Sequence, residues 1–398
     1  MLEQIFFAIL IGIFAGIITG LFPGIHINLV ALLLFSFSSL LIQFVSPIMF
    51  ATFIVSMSIT HTFLDFIPSI FLGAPNEDTA LSILPGHLLL LKGHGYAAIK
   101  LTTMGAFFGL LIALSLSPLI IVIAPIIYPF LVKIMAFLLI AIVSFLIFSE
   151  KKKFWAFFIF LVSGILGLAT LNFYSINQAL FPLFSGLFGT SLLAISFFKD
   201  VKLPKQKIET IKIEKREVSS TMTLSIFASL LVSFLPGVGS AQAATIASAF
   251  KKLTEKTFLL MLGAVNSLVI VFSFVALYAI DKPRSGVAVF VGKFLPFLNQ
   301  QQLWLLLLSA LLAGCISVFL ALFFARIFSR NIIKINYKWL CFGIILFIVL
   351  ISIIISGPLS LLVLLAGTSI GIITSIIGIK KIHMMGSLIL PVILYYLI

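Results

Sequence analysis

Leu21-Phe22-Pro23-Gly24-Ile25-His26 and Phe234-Leu235-Pro236-Gly237-Val238-Gly239 are the two stretches whose reading decides the fold of this 398-residue chain. Each Pro-Gly pair interrupts an apolar run near the start of one half. Proline has no N–H to donate, and glycine has no Cβ to restrain the backbone, so a helix is expected to stop there. Hydrocarbon offers no water to the freed backbone groups. Such a break survives in a bilayer only where protein buries it or a cavity lines it. A matched pair of interrupted segments in two halves points to the binding site of a membrane carrier.

The rest of the chain sets the class. Hydrophobic residues make up 62% and charged residues 9%, with a mean hydropathy of +1.32. That balance excludes a soluble domain. It predicts an all-α polytopic membrane protein of about 9–12 membrane segments, arranged as two inverted repeats. The start, Met1-Leu2-Glu3, has no basic region, so the first apolar segment does not read as a cleaved signal peptide. Cys315 and Cys341 lie in apolar runs and give neither a disulfide framework nor metal spacing. No cofactor and no metal site is expected.

Net charge is +14. The basic residues are scattered among loops and form no docking face for nucleic acid. They fit the positive-inside rule. The least membrane-like stretch, Lys199 to Ser220, carries seven basic and four acidic residues. It reads as a solvated cytoplasmic linker, dividing a first repeat (1–198) from a second (222–398) at 199–221. Lys151-Lys152-Lys153, the Arg326 to Lys338 group and Lys380-Lys381 read as further loops on the same side.

Basic residues flank 222–250 on both sides. Each arm about Pro236-Gly237 is about 14 residues, roughly 21 Å of helix, too short for about 30 Å of hydrocarbon. A re-entrant hairpin satisfies both length and charge. For residues 4–45 the arms are longer, and a re-entrant hairpin and two short spans both fit. Further spans are expected near 48–66, 97–123, 125–149, 154–171, 179–198, 257–280, 303–325, 339–357 and 359–378. A second match joins the halves: Leu72-Gly73-Ala74-Pro75-Asn76 echoes Leu262-Gly263-Ala264-Val265-Asn266.

Polar groups are expensive in a bilayer and are usually functional there. Residues 61–96 hold three of the five histidines (His61, His87, His94) and the acids Asp65, Glu77 and Asp78. His61 and Asp65 are four apart and share a helix face. They read either as an H⁺ or cation relay or as a helix-end pair at the interface. Glu77 and Asp78 follow Pro75 and Asn76 as in a helix first turn, where they complement the macrodipole or bind a coupling Na⁺ or H⁺.

In the second half, Gly237, Gly239, Ser240 and Gln242 supply small residues and N–H groups at a helix start; His26 and Asn28 do so in the first. Two such helix starts aimed at the midplane would hold an anion without a buried lysine. Lys282 and Arg284 either attract that anion from the far face or belong to a plain loop.

The blocks GLFPGIHINL (20–29), HTFLDFIPSIFLGAPNEDTALSILPGH (61–87), GHGYAAIKLTTMG (93–105), FLPGVGSAQAA (234–244), DKPRSGVAV (281–289) and GIKKIHMMGSLILP (378–391) carry a family likeness. The chain resembles the permease subunit of tripartite tricarboxylate transporters, in particular the archaeal branch formerly classed as a domain of unknown function. The resemblance implies a multi-pass cell-membrane permease, not an enzyme, that moves an organic anion such as citrate on an ion gradient. Bacterial members work with a small membrane subunit and an extracytoplasmic solute-binding protein; this sequence contains neither. The paired turns are also similar to those of polyprenyl-phosphate translocases, so a lipid phosphate is the alternative ligand.

The substrate-binding residues expected are Pro23, Gly24, His26, Asn28, Asn76, Pro236, Gly237, Gly239, Ser240, Gln242 and Asn266. The expected partners are the anion, the coupling ion, membrane lipid and, as a homo-oligomer, a second copy of the chain.

Overall fold

The computed structural model describes residues 2–397 apart from 23–26, 37–44, 74–78, 80–82, 174, 177, 199–203, 210–212, 234–239, 241–242, 245–246, 249–250, 252, 284 and 333–336. Among the described residues all regular structure is helical. Helix α1 (Leu2–Leu21) precedes the first Pro-Gly break, and α2 (Ile27–Ser36) follows it. Helix α3 (Pro47–Leu64) continues into a π-helical turn at Pro68–Leu72, which Gly73 ends at φ +66°. The short α4 (Ile83–Leu91) leads into α5 (Gly95–Phe148). Helices α6 (Lys153–Leu171) and α7 (Leu180–Phe198) follow.

After the linker come α8 (Lys215–Ser233), α9 (Glu255–Ile280), the short α10 (Gly286–Phe294) and α11 (Gln300–Asn331). Helix α12 (Tyr337–Ile351) runs into a π turn at Ser352–Ser356. Then come α13 (Ser360–Ile377), a 3₁₀ turn at Lys381–Met385 and α14 (Gly386–Leu397). Local chemistry fixes several starts. Pro47 stands at the first position of α3. Thr254 with Thr257, and Asn299 with Gln302, form reciprocal caps that satisfy the orphan N–H groups of α9 and α11.

Nine helical segments among the described residues are long and apolar enough to cross a membrane. They fall where hydropathy puts them, with two differences. Residues 97–123 and 125–149, expected as separate spans, lie in one uninterrupted helix, α5, which contains Pro118, Pro125 and Pro129. A straight helix of that length would extend roughly 80 Å. Yet both ends approach the same 3₁₀ turn: His87, just before α5, feels the charge of Lys381, and Glu150, just after it, lies 3.5 Å from His383. The helix therefore bends, and the three prolines are where its hydrogen-bond ladder is broken. The second difference is at α8, which begins at Lys215, inside the expected linker, with Lys215 and Arg216 exposed in its first turn. Its 19 residues exceed the expected 14-residue arm. Residues 234–239, the turn of the expected re-entrant hairpin, lie outside the described residues.

The linker is not simply solvated. Gln206 is buried, its Oε1 accepts from the backbone N–H of Gly95 (2.9 Å), and its Nε2 donates to Leu90 O (3.0 Å). One amide thus caps the end of α4 and the start of α5 together, satisfying groups that a helix leaves orphaned.

Lipid tails are as apolar as leucine, so helices associate in a membrane through close backbone packing at small residues. Gly105, Gly109 and Gly263 bring α5 and α9 into backbone contact. A Cβ on Gly105 would collide with the carbonyl oxygen of Leu260, and one on Gly263 with that of Thr102. Along α1, Gly12, Gly16 and Gly20 form a stripe that seats on α3 at Phe53, Met57, Thr60, His61 and Leu64. Helices α3 and α9 are the most enclosed spans, with 78% and 89% of their apolar windows buried, and they also touch each other. Gly105→Leu should therefore cost more than the roughly 1–3 kcal/mol of ordinary overpacking. We expect aggregation, or a sharply lowered unfolding midpoint in detergent. Gly343→Ala, with open space around it, should match wild type. A Gly105→Leu protein as stable as wild type would contradict the α5–α9 contact.

Candidate functional site

The two most enclosed helices both carry fully buried polar side chains. On α3 most of the hydroxyls are satisfied locally: Ser58 donates to Val55 O (2.9 Å) and Thr62 to Ile59 O (2.6 Å). Thr60 accepts from Ser317 of α11 (3.0 Å). Such groups explain helix and helix-pair structure and need no ligand. His61 and Asp65 differ. Their side chains are 4% and 2% exposed, and Nε2 of the histidine lies 3.8 Å from Oδ2 of the aspartate. The pair lies at the end of α3, where Asp65 caps the helix, inside the apolar segment that runs on through the π turn to Leu72. Gly20 of α1, three residues before Pro23, packs against the backbone of His61. The end of α1 thus reaches the level of the His61–Asp65 pair.

On α9, Asn266 is 1% exposed, and among the described residues neither Oδ1 nor Nδ2 has a hydrogen-bond partner. The adjacent Ser267 hydroxyl is in the same state, as is Ser56 of α3. An unsatisfied buried polar group costs about 1–3 kcal/mol, and in a membrane interior it is kept for function. Ser240 is also buried (4%). Lys282 is exposed beside Asp281, a left-handed residue (φ +50°) that ends α9. Pro23, Gly24, His26, Asn76, Glu77, Asp78, Pro236, Gly237, Gly239, Gln242 and Arg284 lie outside the described residues, as does the Asn28 side chain.

A second polar group, outside the span-length helices, gathers at the 3₁₀ turn. Glu150 lies 3.2 Å from Lys380 Nζ and 3.5 Å from His383 Nε2. Burial holds His383 below the usual histidine pKa against the pull of Glu150. His87, at the other side, is buried and donates from Nδ1 to Ile70 O (3.3 Å) in the π turn after α3. Burial, chiefly, and then the nearby Lys381 charge, take its pKa down to about 4, so the imidazole is neutral at physiological pH. Lys380 is 70% exposed, but the Lys381 ammonium is shut off from solvent, and burial takes its pKa down to about 8. Reading Lys380-Lys381 as one loop missed this. No periodicity separates two adjacent lysines at the start of a 3₁₀ turn. Among the described residues no group of three or more His, Cys, Asp or Glu is placed to hold a metal ion.

With the arrangement described, comparison with known proteins adds the family. The sequence profile of the tripartite tricarboxylate transporter TctA family matches residues 6–386. The chain belongs to that family. An uncharacterized protein of Methanocaldococcus jannaschii is 34% identical over 358 residues, covering 87% of this chain and 88% of its own length. No solved structure matches. This TctA-family chain is thus a multi-pass membrane protein of a transporter family, and its buried His61, Asp65 and Asn266 stand in that context.

If Asn266 is kept for a ligand, removing its polarity should relieve the fold and harm the function. Asn266→Leu should leave the unfolding midpoint in detergent unchanged or higher while anion uptake into proteoliposomes is lost. A lower midpoint with normal uptake would make Asn266 a packing residue.

Proposed function

We propose that this protein is a secondary active transporter that moves a small organic anion, a carboxylate of the tricarboxylate class, across the membrane in exchange for the energy of an H⁺ or Na⁺ gradient. The observation that carries the reading is the His61–Asp65 pair, buried at 3.8 Å inside a span of a transporter-family protein. Histidine is the side chain whose ordinary pKa lies in the physiological range, which suits H⁺. A carboxylate oxygen is a hard ligand, which suits Na⁺. Glu77 and Asp78 remain candidates for the same coupling role.

The halves 1–198 and 222–398 are inverted repeats in this account, joined by 199–221. Reciprocal packing supports it. Helix α1 packs on α3 as α8 packs on α9. Helix α3 packs on α10 and α11 of the other half, while α9 packs on α4 and α5 of the first. The short helices that follow the central span, α4 and α10, have nine residues each. Exchange of equivalent helices is what two interlocked repeats give. Two Pro-Gly turns then offer N–H groups to one anion between them, with Asn28, Ser240, Gln242, Asn76 and Asn266 as its side-chain contacts and Lys282 and Arg284 attracting it.

One observation favours the alternative, a polyprenyl-phosphate carrier. A groove of about 480 Å³ is lined by Leu21, Phe22, Leu72, Trp339, Leu340 and Ile344 among others; Leu21 and Phe22 precede the first Pro-Gly pair in sequence, and Leu72 is the last residue of the π turn. It is apolar and within the volume range of ligand sites. A prenyl chain fits that chemistry; a tricarboxylate does not.

The test is uptake of labelled citrate into proteoliposomes under imposed H⁺ or Na⁺ gradients, beside translocation of a fluorescent polyprenyl phosphate. Wild type should accumulate citrate with one of the two gradients. Asp65→Asn and His61→Gln should reduce accumulation by at least about tenfold, the equivalent of one lost charge-assisted contact. Gly24→Leu and Gly237→Leu should abolish uptake with normal insertion. Translocation of the lipid with no uptake of citrate or any other small carboxylate would replace this reading with the alternative.

A further inference from the structure

The 3₁₀ turn Lys381–Met385 holds a charge that the account so far does not use. Lys381 Nζ is buried and, among the described residues, has no hydrogen-bond partner and no carboxylate within salt-bridge distance. The neighbouring carboxylate is already engaged: Glu150 lies between Lys380 and His383. Lys152 is engaged elsewhere, donating to Ile377 O at 2.7 Å. Among the described residues, the other ionisable group that faces Lys381 is His87, whose Nδ1 is committed to Ile70 O. Its pKa of about 8 leaves the Lys381 amine mostly charged at neutral pH.

An ammonium taken out of water without a counter-charge costs several kcal/mol. A protein evades that cost by pairing, by losing the proton or by holding an anion. Among the described residues pairing is absent, and proton loss is incomplete. The surroundings match the third course. The π turn that carries Ile70 also carries Ser69, whose hydroxyl donates to Thr79 at 2.6 Å. Thr79 and His87 flank the short stretch that begins α4. Lys381 therefore brings a positive charge from the C-terminal end of the chain to His87 and the π turn that holds it.

We propose that Lys381, with His87 beside it, is an oxyanion subsite that takes a carboxylate or phosphate group. The proposal deepens the anion-transporter reading and rests on it for the direction of its role. A bound anion would favour the charged form of Lys381 and offset its repulsion of a protonated His87.

The test is ligand-induced thermal stabilisation of the full-length protein, titrated with citrate and with inorganic phosphate. The titrations are run in phosphatidylcholine vesicles and again in phosphatidylglycerol vesicles, without other anions than chloride. Saturable stabilisation by citrate or phosphate in phosphatidylcholine identifies a free anion. Stabilisation by phosphatidylglycerol alone identifies a lipid headgroup. In either case Lys381→Met should weaken the apparent affinity about tenfold or more, Lys381→Arg should restore most of it, and Lys380→Met should leave it unchanged. Where Lys381→Met fails to fold, Lys381→Gln carries the comparison.

Unchanged affinity in the Lys381 variants, or stabilisation by none of the probes, overturns the subsite. The two readings separate cleanly. Citrate uptake that survives in Lys381 variants removes the subsite and keeps the transporter. Phosphate binding that needs Lys381 in a protein that accumulates no carboxylate keeps the subsite and removes the substrate class.

Discussion

Close backbone contact at glycine is the constraint on which this molecule depends. In lipid there is little hydrophobic gain from bringing two apolar helices together, so the contact must come from dispersion at short range. Four crossings do this. Gly12, Gly16 and Gly20 seat α1 on α3; Gly105, Gly109 and Gly263 join α5 to α9. Gly164, Gly167 and Gly386 join α6 to α14, and Gly186, Gly367 and Gly371 join α7 to α13. The first two lock α3 and α9 into the middle of the bundle. That enclosure gives His61, Asp65 and Asn266 a low-dielectric setting, where each polar group interacts strongly with whatever it meets.

Hydropathy made the spans legible because the bilayer forces all backbone bonds inside each segment. The polar residues of α3 were legible for the same reason: His61 and Asp65 are conspicuous in an apolar run. Three features were not. The unbroken course of α5 was hidden because its length exceeds one bilayer crossing, so 97–123 and 125–149 read as two spans, while a helix bends at Pro118, Pro125 and Pro129 without ending. The ordered part of the linker was hidden because charge dominates its composition, and the one residue that ties it down, Gln206, is uncharged. The opposite fates of Lys380 and Lys381 depend on which way a 3₁₀ turn faces, a tertiary property without a local signal.

The two central helices are unequal in chemistry although they are alike in place. Helix α3 carries an ionisable pair; α9 carries an amide and hydroxyls. In the proposed mechanism the first half senses the coupling ion and the second supplies neutral donors to the anion. In the same proposal the glycine crossings let the halves move as packed units, since a crossing without interdigitated side chains has little to unlock, and rocking of one proposed repeat against the other exposes the same residues to each side in turn.

That exchange of access is the central claim, and cysteine accessibility tests it most directly. With Cys315→Ser and Cys341→Ser as background, a cysteine is placed at position 58, one turn before His61 on α3 and without a ligand role, and probed with a membrane-impermeant thiol reagent from each side of oriented vesicles. The account predicts labelling from both sides, with the balance shifted by citrate and by an imposed H⁺ or Na⁺ gradient. Labelling from one side alone, unmoved by any organic anion or gradient, would contradict it.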